Sequence, residues 1–248
     1  MIIEICANGY QSAINAQEAG ADRIELCSEL SLGGITPSYG LIKKIKKDLE
    51  IPVHVLIRPR SGNFTYSDTE FEIMKQDIEL CKELGCEGVV SGVLNFDNTI
   101  DSERTKQLVE ISKPMNFTFH RAFDWIENPF EGLEQLIATG VDRILTSGQE
   151  SQAIKGLNLL KELRGRANNK IEIMPGGGVT IDNILEFKNA GFIQIHFSAT
   201  TLHKSPNKVK VSMNSQRFFD ETTIAISDLE KISKMIEIVE NNVNSTEE

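Results

Sequence analysis

A chain of 248 residues with 40% hydrophobic and 25% charged side chains has the composition of a globular protein and the length for one large α/β domain. Its formal net charge of -10 argues against nucleic acid or an anionic membrane as main partner, since both would repel its average surface. No stretch has the apolar length of a membrane span. The opening MIIEICANGY is no signal peptide, and four cysteines (Cys6, Cys27, Cys81, Cys86) are too few for a disulfide scaffold, so a cytoplasmic protein with reduced thiols is expected.

In chain order, the first apolar run is IIEIC (2–6), and GADRIELC (20–27) carries the second. PVHVLIR (52–58), LGCEGVVSG (84–92), NFTFH (116–120), GVDRILTSG (140–148), KIEIM (170–174) and AGFIQIHFSA (190–199) follow, each too short for a helix and rich in strand formers. Helical patterns fill the intervals, as in FEIMKQDIELCKEL (71–84) and IDNILEFKNA (181–190). Gly20, Gly85, Gly140 and Gly191 read as the glycines that stop a helix in a left-handed turn. Thr36 and Pro37 are placed to open a helix, and capping boxes are expected at Ser67-x-x-Glu70 and Ser227-x-x-Glu230. The last helix should start near Ser227 and bury Leu229, Ile232, Ile236 and Val239. Residues 58–70 and 199–226 form long connections placed to cover one end.

Eight strands alternating with helices predict a single (β/α)8 TIM-type barrel domain over 1–248, with a long connection before the final helix. A doubly wound open sheet is the alternative, less suited to a count of eight. The shared Gly-x-Asp-Arg-Ile phrase then falls in strands 2 and 6, half a barrel apart, which suggests internal two-fold symmetry.

Strand parity sorts the side chains. Ile3, Ile5, Ile24, Val53, Val55, Ile57, Val89, Phe117, Phe119, Ile144 and Ile195 should face the helices. Glu4, Cys6, Glu25, Cys27, His54, Leu56, Arg58, Val90, Gly92, Thr118, His120, Leu145, Ser147, His196 and Ser198 should face inward. Barrel sites sit at the carboxyl ends of the strands, where Arg60, Arg121 and Asp124 join this set.

Three chemistries suit these groups. Cys6 and Cys27 on neighbouring strand ends suit Cu(I) or Zn(II), with His120 and His196 as further zinc donors, although by spacing alone two inert buried thiols are the better description. The carboxylates Glu4 and Glu25, with Arg58, Arg121, His120 and His196, suit acid–base work on an anionic substrate, or else an ion-pair network that only fills the mouth. Gly176, Gly177 and Gly178, with Ser198, occupy the strand 7 and 8 ends where barrels hold phosphate, or form a tight turn.

The stretches EIC (4–6), GADRIELC (20–27), GGITPS (33–38), IPVH (51–54), IRPRSGNFTYSD (57–68), TFHRAFD (118–124), RILTSG (143–148) and GGGV (176–179) together resemble the CutC family of copper homeostasis proteins. The resemblance spans nearly the whole chain and implies a TIM-type barrel in the cytoplasm, with Cu(I) held by Cys6 and Cys27 and no other cofactor. Glu4, Glu25 and Arg58 would then set the charge around the thiolates. The alternative is an enzyme acting by acid–base chemistry on a small anionic substrate, phosphorylated or not, with Glu25, Arg58, His120, Arg121, Asp124 and His196 as its working groups. A barrel acting only through protein contacts is a third reading. A copper ion or small anion is the expected partner, and a homo-oligomer is expected only as a base rate.

Overall fold

The computed structural model describes residues 1–206, 210, 211, 213 and 220–241. Eight short strands, β1 (Ile2–Ala7), β2 (Arg23–Leu26), β3 (Val53–Leu56), β4 (Gly88–Ser91), β5 (Asn116–Phe119), β6 (Arg143–Thr146), β7 (Glu172–Pro175) and β8 (Gln194–Phe197), lie parallel in one sheet. Their order is β7-β6-β5-β4-β3-β2-β1-β8, and a parallel bridge between Gly176 and His196 brings the two ends together. Helices α1 (Tyr10–Glu18), α2 (Tyr39–Asp48), α3 (Asp68–Glu83), α4 (Ser102–Ser112), α5 (Pro129–Thr139), α6 (Leu157–Ala167) and α7 (Ile184–Asn189) fill the crossovers. The expected (β/α)8 TIM-type barrel is therefore what the chain forms.

Between β8 and the last helix, α8 (Leu229–Asn241), the long connection contains an antiparallel hairpin, β9 (Thr200–Lys204) with β10 (Thr223–Ser227). The rest of the 199–226 expectation falls partly on 207–209, 212 and 214–219, outside the described residues. Among the described residues no helix is long and apolar enough to cross a membrane.

The strand alternation partitions the interior as expected. Ile3, Ile5, Ile24, Val53, Val55, Val89, Phe117, Phe119, Ile144 and Ile195 join the large apolar layer between sheet and helices. Cys6, Cys27, Leu56 and Val90 form a separate small cluster inside the barrel. At about 25 cal/mol per Å² of apolar surface, the outer layer supplies most of the driving force, which leaves the inner face free to hold polar chemistry.

The repeated phrase does three jobs. Gly20 and Gly140 stop α1 and α5 at φ +89 and +80, a conformation that disfavours side chains. Asp22 and Asp142 each accept the backbone N–H of a residue on the preceding strand, Ile3 and Phe117, both at 2.7 Å. Arg23 and Arg143 then turn inward.

Two helix starts differ from expectation. Ser38 caps α2 by accepting from Leu41 N at 3.3 Å, so Thr36 and Pro37 precede the helix; Thr36 Oγ1 instead accepts Arg58 N. The Ser67–Glu70 capping box forms on α3, but the Ser227–Glu230 box does not form on α8. Ser227 ends β10, where its N–H donates to Ser12 Oγ and its hydroxyl to Cys6 O, and Asp228 caps α8 by accepting from Lys231 N. Pairing with β9 holds Ser227 extended, so α8 starts later. Its buried residues are Ile232, Met235 and Val239, with Leu229 and Ile236 only half-buried.

Candidate functional site

The barrel interior is layered. Its inner layer is a polar plug of Glu4, Arg23, His54, Thr118, Arg143 and Gln194, all buried. Gln194 Oε1 accepts from both repeat arginines, Arg23 Nη2 at 2.6 Å and Arg143 Nε at 2.7 Å. Arg23 also pairs with Glu4, and Arg143 donates to Thr118 Oγ1 at 2.8 Å. Burial would raise the Glu4 carboxyl, but the hydrogen bond with His196 and the charges of Arg23, His196 and His54 carry it well below its ordinary value. Burial pushes His54 down to about 4, helped by the charges of Arg143 and Arg23. Its ring occupies room that only Gly88 allows: a Cβ there would lie 2.5 Å from the imidazole.

Glu4 therefore lies below the mouth, in the plug, because the strands are staggered. Cys6 is level with Glu25, and Glu4 with Arg23. The Glu-x-Cys endings of β1 and β2 share a facing but not a height, as barrel shear requires. Cys6 consequently meets Glu25 as well as Cys27: its Sγ lies 3.7 Å from Glu25 Oε1 and 3.8 Å from Cys27 Sγ. His196 completes a compact group with Cys6 and Glu25, their donor atoms all within 4.8 Å of one another. Its Nδ1 is 2.8 Å from Glu4 Oε1.

The electrostatics follow from this crowding. The Cys27 thiol and burial raise Cys6 well above its ordinary value. Burial raises Glu25 to about 7 despite the nearby His196, and its Oε2 has no partner. Burial lowers His196, but the Glu25 charge and hydrogen bonds with Cys6 and Glu4 carry it well above the usual imidazole range.

Above this cluster opens a cavity of roughly 870 Å³, with Cys6, Glu25 and His196 among its walls and Leu30, Leu56 and Phe64 supplying apolar surface. Cys27 is fully buried beside it, with Gly34 packed so close that a Cβ there would lie 3.6 Å from the Cys27 sulfur and 2.6 Å from Leu56. Arg58 pins this loop. Its Nη1 donates to Leu32 O and Gly34 O, both at 2.9 Å, its Nη2 to Gly62 O at 2.7 Å, and its guanidinium lies over Phe64. With both terminal nitrogens bonded to backbone, Arg58 holds the cover of Cys27, and only its Nε is unpartnered. Arg60 lies outside the cavity wall, bonded to Glu70 and to loop carbonyls.

Asp124 likewise organises a loop, accepting from Thr146 Oγ1, Ser147 N and Oγ, Gln149 N and Arg121 Nε. His120 and Arg121 both line the cavity, as do Gly177, Gly178 and Ser198. Gly176 is separated from them because its N–H bonds Thr146 O and continues the sheet.

Sequence reasoning missed Arg23, Arg143 and Gln194, although parity carried one residue back from Ile24, Ile144 and Ile195 places all three inward. It also missed Lys231 and Lys234, which reach the cavity from α8. Only packing brings that helix to the mouth.

A (β/α)8 barrel with a thiol–carboxylate–imidazole cluster beneath a mouth cavity defines a class: TIM-type barrels with a polar, thiol-bearing mouth. The CutC family model matches residues 1–201, and the chain belongs to the CutC family. A human relative called copper homeostasis protein cutC homolog is 42% identical over 97% of this chain and 89% of its own. A family protein CutC from Parabacteroides distasonis is 46% identical over 95% of this chain and 99% of its own. A crystal structure of a CutC protein from Streptococcus agalactiae superposes with a TM-score of 0.76 at 39% identity, covering 80% of this chain and 98% of that one. Barrels such as thiamine phosphate pyrophosphorylase from Pyrococcus furiosus (TM-score 0.59, 14% identity) share the fold alone.

Proposed function

We propose that this chain serves copper homeostasis in the cytoplasm by holding Cu(I) as cargo on the thiolates of Cys6 and Cys27. The observation that carries the reading is the pair of buried sulfurs 3.8 Å apart inside the barrel, one lining the cavity and one beneath a pinned loop. Soft, polarisable donors in a largely apolar pocket suit Cu(I), so the donor set fits the ion. Binding requires the thiol protons to leave, and the raised pKa of Cys6 opposes that. Glu25, near pKa 7 and 3.7 Å from Cys6 Sγ, is placed to accept the Cys6 proton, while His196 and Arg23 balance the negative charge. The test is anaerobic Cu(I) titration against a competing chelator with wild type, Cys6→Ser, Cys27→Ser and the double variant. Tight one-to-one binding lost in each cysteine variant supports the reading; binding unchanged in the double variant refutes it.

A second reading, an acid–base enzyme, is favoured by one observation. Glu25 Oε2 and His120 Nε2, an acceptor and a donor on cavity-lining residues, have no protein partner. Here Glu25 rather than Cys27 is indispensable, and Cys27→Ser should be tolerated.

A further inference from the structure

Along the same cavity, four kinds of hydrogen-bond donor have no acceptor among the described residues. Arg121 is held from two sides, its Nε by Asp124 at 2.7 Å and its Nη2 by Ser147 Oγ at 2.8 Å, and among the described residues its Nη1 has no acceptor. That nitrogen lies beside the glycine loop, 3.1 Å from where a Gly177 Cβ would be. Gly177 and Gly178 follow one another at φ +101 and +70, and among the described residues neither N–H has an acceptor. Their carbonyls do have partners, Ala153 N and Asn183 Nδ2, which fix the loop. From α8 comes Lys234, whose ammonium has no protein partner among the described residues, with Lys231 one turn earlier tied to Thr201 Oγ1. Among the described residues lining the cavity the carboxylates are Glu25 and the exposed Glu230, while Asp124 pairs with Arg121.

His120 supplies the fourth donor. Its Nδ1 accepts Ala122 N at 3.2 Å, so the neutral ring carries its proton on Nε2, which is buried and unpartnered. Burial and the Arg58 charge keep this ring neutral, down to about 3.

We propose that this part of the cavity is a binding site for the dianion of a small organic phosphomonoester, held by Arg121 Nη1, the Gly177 and Gly178 amides and Lys234. Its organic part lies along the apolar wall toward His120. A carboxylate offers two oxygens; a guanidinium, two successive amides and an ammonium that separate elements bring to one cavity supply donors enough for the three terminal oxygens of a phosphomonoester. The site shares the cavity with the cysteines but uses none of their atoms, so it does not rest on the copper reading. Gly176 and Arg58 take no part, since their hydrogen-bonding groups serve the sheet and the loop over Cys27.

The experiment is calorimetric titration of the metal-free protein with inorganic phosphate, phenyl phosphate and benzoate at fixed ionic strength and at a pH above about 7, where the monoester is a dianion. Phenyl phosphate is expected to bind at least about tenfold more tightly than benzoate, and more tightly than inorganic phosphate. Arg121→Gln should weaken it by about tenfold or more, and Lys234→Gln, on an exposed helix face where folding is not at stake, by several-fold. Cys6→Ser/Cys27→Ser should leave phenyl phosphate binding unchanged. That result keeps the anion site even if the Cu(I) titration fails. Absence of phenyl phosphate binding, equal affinity for benzoate, tighter binding of inorganic phosphate, or indifference to Lys234→Gln would each overturn the proposal.

Discussion

At Gln194 two guanidinium groups share one amide oxygen, an arrangement that keeps two buried cations from repelling each other unscreened. Glu4 and Thr118 take up further nitrogens of the same pair. Gln194→Ala should therefore cost about 3 kcal/mol, because it leaves buried charged donors without their shared acceptor. Urea denaturation would measure it, and a cost near zero would mean that water or Glu4 replaces the amide. Parity along the strand made Cys6, Glu25 and His196 readable as inward groups. Their common height was not readable, since it depends on the stagger between strands.

At the scale of elements, the ends of helices separate local signals from tertiary ones. The Ser67 box is local and forms as read, so Ser67→Ala should destabilise by about 1 kcal/mol. The Ser227 box has the same sequence logic and fails, because pairing with β9 holds Ser227 in β10. Asp228→Ala should cost about 1 kcal/mol through α8, and thermal denaturation of the two variants side by side checks both. A helix-specific loss of that size from Glu230→Ala instead would restore the sequence assignment. The glycine stops at the ends of α1 and α5 were legible because a left-handed residue leaves a strong compositional mark.

For the whole molecule, the buried imidazoles His54 and His120 contribute to the response to acid. His54 and His120 titrate at about 4 and about 3 when folded, against 6.5 for a free ring. The folded state thus binds fewer protons than the unfolded state in this window. The stability these two groups contribute is complete above about pH 6.5 and is lost as pH falls through 4 and then 3, an expected loss of a few kcal/mol. Glu25 runs the other way: its folded value of about 7 exceeds its ordinary 4.5, so its contribution is complete below 4.5 and lost as pH rises through 7. Chemical denaturation across pH should show Glu25→Gln flattening the alkaline side and His120→Gln reducing the acid loss; unchanged slopes would show that neither group titrates as its burial implies. Bound Cu(I) should raise the melting temperature, by about 3 kcal/mol of stabilisation at a hundredfold excess over Kd, and this gain should vanish in Cys6→Ser.

The order and spacing of apolar runs by themselves determined the eight strands, the helices between them and the face each side chain takes, because these follow from backbone periodicity. The Gly-x-Asp-Arg-Ile repeat was visible as a repeat, and its glycine as a helix stop. Its arginine converging on Gln194 was not, for Arg23 and Gln194 are far apart in the chain and meet only when β8 closes on β1. Tertiary structure alone decided that Cys6 stands level with Glu25, that Arg58 fastens a loop with its terminal nitrogens, and that α8 brings Lys234 to the mouth. The physical reason is the same in each case: strand shear and helix docking are properties of the closed ring, and no local stretch of sequence contains them.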